Sequence, residues 1–376
     1  MIRVSTLYPV YCSGTAVSHI CLSLCEHMRD NACDVRLWTP ACDPAGRAPF
    51  VHEAWRGIAK SIAYKLDRSS KIIDGWLYRK YLNDMAPGDI AYLWPATPLP
   101  VYKELKRRGH TIVVERINCH RATSKRILDN EYTREGWRIA HDVTQEDLEI
   151  EREKMALADY LYCPSPLVTQ SFLDEGVPTS KILNTSYGWS PGRLQGTSRA
   201  LEPCDGITVV FVGRIGVRKG AHLLVRYWDR ANVKGRLVLA GRIEGGFAQM
   251  CGSGWNRPDV THLGFSADIG AVYRSADVFA FPSLEEGSPL VIYETLAAGL
   301  TAVVSPMGAG GIARDGKEGI VLDPYDEEGW VEALRRVARD AELRKRFAES
   351  GMARAQEFTW AKVGAKRREL LLKAIS

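Results

Sequence analysis

The sequence predicts an α/β protein of two similar halves, each a parallel sheet covered by helices. Three observations carry this. Short apolar runs alternate with helical stretches from the first residues onward. A segment rich in Gly, Pro and Ser, 187–206, interrupts the pattern and reads as a linker. The alternation then starts again. Such a pattern is that of βαβ units, and each series gives a Rossmann-like domain. The 376 residues are enough for two of them.

The elements follow in order. Ile2–Leu7 is a strand, followed by a loop through Gly14 and a helix to about Met28. Asp34–Trp38, Asp89–Trp94 and Thr111–Glu115 are further strands with helical stretches between them. TQEDLEIEREKMALADY, from Thr144, is a helix with a capping-box-like start. LYCPS is a short strand and PLVTQSFLDEG a helix ending at Gly176. In the second series GITVVFVG, RLVLAG, DVFAFPS and TAVVS are strands, and AHLLVRYWDRAN and ADIGAVYRSA are helices. EEGWVEALRRVARDAELRKRFAESG is helical, and FTWAKVGAKRRELLLKAI is the last helix.

Composition narrows the function. Hydrophobic residues are 45% and charged residues 25%, as in soluble globular proteins. A net charge of +5 permits an anionic ligand without demanding one. Nine cysteines include no CxxC pair, which suits scattered thiols in a reducing compartment. The histidines do not join them at metal-ligand spacing, and no metal is expected. The stretch from Val4 to Cys25 lacks charge, but Pro9, Gly14 and His19 interrupt it. Strand, loop and helix is therefore expected there, in a cytoplasmic protein, and not a signal or a membrane span.

Several constellations bear on chemistry. In FVGRIGVRKG, 211–220, a strand ends at Gly213 and a loop carries Arg214, Arg218 and Lys219 up to a helix start. Free amides and two kinds of cation suit a diphosphate, although a solvated basic turn has the same composition. In LEEGSPLVIYETLAAG, 284–299, Pro289 fits the first helical position and Ser288 can cap it. The amides of Gly287 to Leu290 would then face outward as a cradle. Glu286 and Glu294, with seven residues between them, bracket it. A carboxylate on an apolar helix is costly unless something pairs with it. Glu294 stands roughly a turn and a half inside, where it can accept from sugar hydroxyls.

Other signals are weaker. Gly308, Gly310 and Ala313 match a dinucleotide pattern after a strand, but Arg314-Asp315-Gly316 reads as a turn where a helix is required. Gly14 and Thr15 precede a helix start in the first half. His120 follows the strand TIVVE, at the end of a sheet that points to the cleft. The region from Glu53 to Leu82 interleaves Arg56, Lys60, Lys65, Arg68, Lys71, Arg79 and Lys80 with Trp55, Tyr64, Trp76, Tyr78 and Tyr81. It reads as a solvent-facing basic hairpin or as a contact with an anionic membrane. No nucleic-acid motif accompanies it. No DxD triplet, GxSxG elbow or HExxH occurs.

GRIGVRKG, LVLAG and the run from LGFSADIGAVYRSADVFAFPS to TAVVS together resemble glycosyltransferase family 4, across about 200–360. The first half agrees in layout only. The resemblance implies the GT-B fold: a first domain 1–190 for the acceptor, a second 205–358 for the donor, and a helix 359–376 crossing back to the first. It implies a retaining hexosyltransferase that takes a UDP- or GDP-sugar as co-substrate, without metal or other cofactor. Arg214 and Lys219 would hold the diphosphate next to Gly213 and Gly14. Glu286 would meet the transferred sugar, the amides of Gly287, Ser288, Pro289 and Leu290 would cradle sugar and phosphate, Glu294 would hold the ribose, and His120 would face the sugar. Pro289 has no N–H, so its place in that cradle is steric. The family's Glu after TAVVS is replaced by MGAGGIARDG, and Gly14 is not doubled.

The implied partners are a nucleotide sugar and a glycan or lipid-linked acceptor, in bacterial surface polysaccharide synthesis at the inner face of the membrane. The acceptor hydroxyl would attack the face that the phosphate leaves, the phosphate taking its proton. Two other readings stand beside it: a sugar-nucleotide epimerase on the same fold, and a sugar-nucleotide or membrane-surface binding protein without turnover.

Overall fold

The computed structural model describes residues 1–55 and 71–376. Within them lie two fully parallel sheets. The first has seven strands in the order β3-β2-β1-β4-β5-β6-β7: β1 Ile2–Leu7, β2 Cys33–Thr39, β3 Val51–Glu53, β4 Ile90–Leu93, β5 Thr111–Glu115, β6 Tyr160–Cys163 and β7 Ile182–Asn184. The second has six in the order β10-β9-β8-β11-β12-β13: β8 Ile207–Val212, β9 Gly235–Ala240, β10 Val260–Gly264, β11 Val278–Phe281, β12 Thr301–Val304 and β13 Gly319–Val321. All six residues of β8 are buried, as a strand covered on both faces requires. The short strands β3, β7, β10 and β13 were not expected from the sequence.

Strand order reverses between β1 and β4 in one sheet, and between β8 and β11 in the other. Ligands of open α/β sheets bind beyond the carboxyl ends at such reversals. The loops there are Tyr8–Thr15 after β1 and Gly213–Gly220 after β8. The loop after β11, Pro282–Pro289, lies beside the second of them.

The helices that position this region are α1 Ala16–His27, α2 Lys71–Asp84, α3 Leu99–Arg107, α4 Arg121–Arg134, α5 Gln145–Leu157, α6 Pro166–Asp174 and α7 Ala221–Ala231. Then come α8 Phe247–Cys251, α9 Ile269–Arg274, α10 Leu290–Ala297, α11 Pro306–Ala309, α12 Glu327–Arg339, α13 Ala341–Ala355 and α14 Trp360–Ile375. The Thr144 cap of α5 forms its capping box with Asp147. The expected single helix after residue 326 is two, because the Asp340 carboxylate accepts from Leu343 N at 2.8 Å and starts a new one.

The last helix crosses back to the first domain. Gly364 packs on the backbone of His27 in α1, and Tyr162 OH donates to the Arg367 carbonyl at 2.8 Å. Arg367 ends in the interior of that domain, where its guanidinium meets Glu115 at 2.6 Å and both side chains are fully buried. Tyr187 OH also donates to Glu115, at 2.8 Å, and Tyr92 OH does so from the other side. The two chain crossings run together: Trp189 bridges Thr359 in parallel, and its N–H donates to Phe358 O at 3.1 Å.

No helix among the described residues is long and apolar enough to cross a membrane. The charge-poor N-terminus is strand, loop and helix, as expected. Of the basic-aromatic region, Arg56, Lys60, Tyr64, Lys65 and Arg68 lie outside the described residues. Residues 71–82 of it belong to α2, held by the buried Tyr81, whose hydroxyl donates to Ser5 O at 3.0 Å. Trp76 is exposed there, with the Lys80 ammonium 5.4 Å from its ring centroid.

Candidate functional site

The sequence sets two loops of the second domain side by side at the strand reversal. The first runs from Gly213 through one tight turn, Val217–Lys219, to Gly220 and α7. The second runs from Pro282 to Pro289 and enters α10. The carbonyl of Arg218 accepts from both Leu284 N, at 3.0 Å, and Glu285 N, at 3.3 Å, which joins the loops. Their side chains pair in the same way. Arg218 meets Glu285 at 3.0 Å, and Lys219 forms an ion pair with Glu286. Burial pushes the Lys219 ammonium below its ordinary range, and Glu286 opposes that shift.

Glu294 lies in α10 with its side chain almost wholly buried. Arg193 Nε donates to one oxygen at 2.7 Å and Tyr273 OH to the other at 3.2 Å. Burial raises its pKa, with Arg193 pulling the other way. Between the two acids, the amides of Gly287, Ser288 and Leu290 have no acceptor among the described residues. The cradle of free amides is therefore present, but its start differs from expectation. Pro289, with ψ 126°, is the cap and Leu290 the first helical residue. Ser288 does not cap; its hydroxyl meets Tyr293 OH at 2.7 Å.

The first domain closes directly on this turn. Ser165 Oγ donates to the Gly287 carbonyl at 2.6 Å, Cys119 Sγ to the Glu286 carbonyl at 3.3 Å, and Ser124 Oγ to Glu285 at 3.0 Å. A Cβ on Gly287 would lie 1.9 Å from the Ile117 carbonyl oxygen. Gly287→Ala is thus expected to hold the domains apart. Amide exchange should rise at both 117–120 and 284–288 while the two sheets keep their protection. A variant with native exchange in both loops would refute this.

The remaining expected residues are placed as follows. Arg214 is exposed, its nearest acid Glu244 at 4.0 Å. Gly14 has φ +71° and open space where a Cβ would stand, next to the exposed Thr15 that starts α1. His120 caps α4, and its Nδ1 accepts from Ala122 N at 3.2 Å. Its Nε2 lies 3.3 Å from Glu151 and its ring packs edge-on to Phe172. Both nitrogens are thus engaged inside the first domain, so the ring is not free to face a sugar in this geometry; burial also lowers its pKa. The run SPMGAGGIARDG makes only the short α11, capped by Ser305, before turning. A dinucleotide helix is absent there, and a Cβ on Gly310 would lie 3.2 Å from both the Ser288 hydroxyl and Pro289.

Sequence reasoning missed Arg193, Tyr273, Glu285, Ser124 and Ser165. Arg193 carried a signal, as the lone cation between Trp189 and Ser198 of a Gly- and Pro-rich segment. Glu285 stands beside Glu286 in the quoted stretch, and Tyr273, Ser124 and Ser165 carry no signal of their own; only the tertiary fold brings them to the site.

Residues 206–340 match the family described as Glycosyl transferases group 1. A D-inositol 3-phosphate glycosyltransferase of Corynebacterium glutamicum is 28% identical over 216 residues, 50% of this chain and 49% of that protein. The chain thus matches about half the length of such relatives. Sucrose-phosphate synthase from Thermosynechococcus elongatus superposes over 100% of both chains with TM-score 0.75 and 17% identity. HepE from Anabaena, in complex with UDP and glucose, covers 99% of this chain and 100% of its own, with TM-score 0.71 and 16% identity. Likeness at such identities establishes the two-domain fold.

Proposed function

We propose that this protein, whose residues 206–340 match the family described as Glycosyl transferases group 1 and whose two domains have the GT-B fold, moves a sugar from a nucleotide-diphospho-sugar to an acceptor hydroxyl, with retention of configuration. The observation that carries this reading is the pair of buried acids, Glu286 and Glu294, on either side of free amides, each paired with its own cation, Lys219 from the neighbouring loop and Arg193 from the joining segment. A row of acid, amides, acid, with Lys219 and Arg214 alongside, is complementary to sugar, diphosphate and ribose in that order.

In the proposed reaction the diphosphate lies on the amides of Gly287, Ser288 and Leu290 and on Lys219, with Arg214 at the rim. Gly14 and Thr15 approach it from the other domain. Glu286 accepts from the sugar's hydroxyls and Glu294 from the ribose. The bond between the anomeric carbon and the phosphate oxygen breaks, and its electron pair leaves with the diphosphate. The acceptor oxygen bonds to that carbon on the same face, and its proton passes to the departing phosphate. Fixed cations and amides stabilise the leaving charge, so the scheme needs no metal. Closure of the first domain keeps water from the same carbon. His120 serves here by capping α4.

The complex of HepE with UDP and glucose favours UDP-sugars as the first donors to try. The acceptor in this reading is a glycan or lipid-linked hydroxyl of a bacterial surface polysaccharide, met at the inner face of the membrane. A thermal-shift screen of UDP-, GDP- and ADP-sugars tests the donor. One of them at 100 times its Kd should add about 2.7 kcal/mol of stability. Release of nucleoside diphosphate should then depend on acceptor, which an epimerase or a binding protein would not show. Silence towards all three classes would refute the proposal.

A further inference from the structure

We propose that Arg193, in the segment joining the two domains, is a positioning residue for the nucleoside end of the donor: it holds Glu294 in place to accept the ribose hydroxyls. This rests on the glycosyltransferase reading and adds a determinant to it.

Glu294 is a carboxylate whose side chain is 6% exposed. Such a group is tolerated only if paired and hydrogen-bonded. Arg193 and Tyr273 are its side-chain donors, and Arg193 alone brings charge. Each carboxylate oxygen has two acceptor directions, so one protein donor apiece leaves two free, the number a vicinal diol needs. The terminal nitrogens of Arg193 have no acceptor among the described residues, and its side chain is 41% exposed. One edge of the guanidinium therefore holds Glu294 while the rest stays open to the cleft.

The backbone around Arg193 is itself fixed. Arg274 donates to Leu194 O at 2.9 Å and to Ser198 O at 2.7 Å, and Arg193 N donates to Ser190 O at 3.1 Å. A Cβ on Gly270 of α9 would lie 3.0 Å from the Arg193 carbonyl oxygen. The guanidinium is thus presented from a fastened segment, which makes its placement reproducible. The charged and titratable groups around Glu294 are Arg193 from the joining segment and Tyr273 from α9, with His19 of α1 reaching Arg193 from the first domain.

The sign of the pH effect follows. Burial already raises Glu294, and Arg193 restrains that rise. Without Arg193, Glu294 takes up a proton more readily, and the acceptor pair is lost as pH falls.

The experiment is calorimetric binding of UDP, GDP and their 2′,3′-dideoxy counterparts to the full chain. The wild type should bind one ribonucleotide at least about tenfold more tightly than its dideoxy form. Arg193→Gln should lose most of that ratio, and more of it at pH 6 than at pH 8.5, with dideoxy binding little changed. Arg193→Lys should keep part of it. If the wild type binds neither of these nucleotides, nor ADP, the glycosyltransferase reading fails. The positioning role fails if the wild type binds but does not discriminate, or if Arg193→Gln discriminates as well as the wild type at both pH values. It fails too if that variant weakens the ribo and dideoxy forms alike, since that marks a merely structural residue.

Discussion

Lys219→Ala is expected to lower acceptor-dependent release of nucleoside diphosphate about 10²- to 10³-fold, roughly 3–4 kcal/mol of barrier, as for deletion of one preorganised donor at a developing oxyanion. The size follows from burial. The Lys219 side chain is 11% exposed and faces Glu286, so its charge acts in a poorly screened site. Its loss also leaves Glu286 without a countercharge where a diphosphate must enter, and like charges there oppose binding. Both kcat and KM should therefore suffer. Arg214 gives the contrast. Its side chain is 73% exposed, so Arg214→Ala should cost less and its effect should shrink with added salt. Equal losses for the two variants, or a Lys219→Ala enzyme within threefold of wild type, would contradict this assignment of the leaving-group charge.

Arg367→Met is expected to destabilise the first domain by about 3–5 kcal/mol, because it strands a buried carboxylate. Glu115 has no exposure, and its remaining donors, the hydroxyls of Tyr92 and Tyr187, are neutral. The first thermal transition should fall by on the order of 10 °C. Most of the penalty belongs to the unpaired charge and not to the lost contact. Arg367→Met combined with Glu115→Gln should therefore recover a large part of it, since the amide is neutral, its oxygen still accepts from one tyrosine and its NH2 can donate to the other hydroxyl. A double variant no more stable than the single one would mean that packing of α14, and not charge, sets the cost.

What the sequence made legible follows from range. β8 could be read from GITVVFVG because a strand covered on both faces is continuously apolar, and that is a local property. β13 escaped because GIV is only three residues long, and β10 because VTHLG has no apolar run, with Val260 its one buried residue. The break at Asp340 could have been seen: an Asp followed by Ala-Glu-Leu is a helix start, but it sat inside an unbroken helical composition. At the site, Glu286, Lys219 and the free amides were legible because each belongs to one contiguous turn. The pairing of Lys219 with Glu286 was not, since 67 positions of chain separate them. His120 shows the same limit. Its place after β5 was readable, but the direction of its ring is set by Glu151 and Phe172, which arrive from α5 and α6.

The paired crossings at Trp189 and Thr359 have a mechanical consequence. A single strand between two bodies permits bending about two axes and twisting about a third. Two strands fixed side by side remove most of that freedom. Trp189 adds a second tie, its indole N–H on the Ala355 carbonyl at 2.8 Å. What remains is rotation about one line through the Trp189–Thr359 bridge, like a door on its pin. A separation of the domains about that line is expected to carry the loop after β5 away from Gly287 along a defined arc. Such a constraint favours the return of Gly14 of one domain and Glu286 of the other to the same geometry whenever the domains part and close.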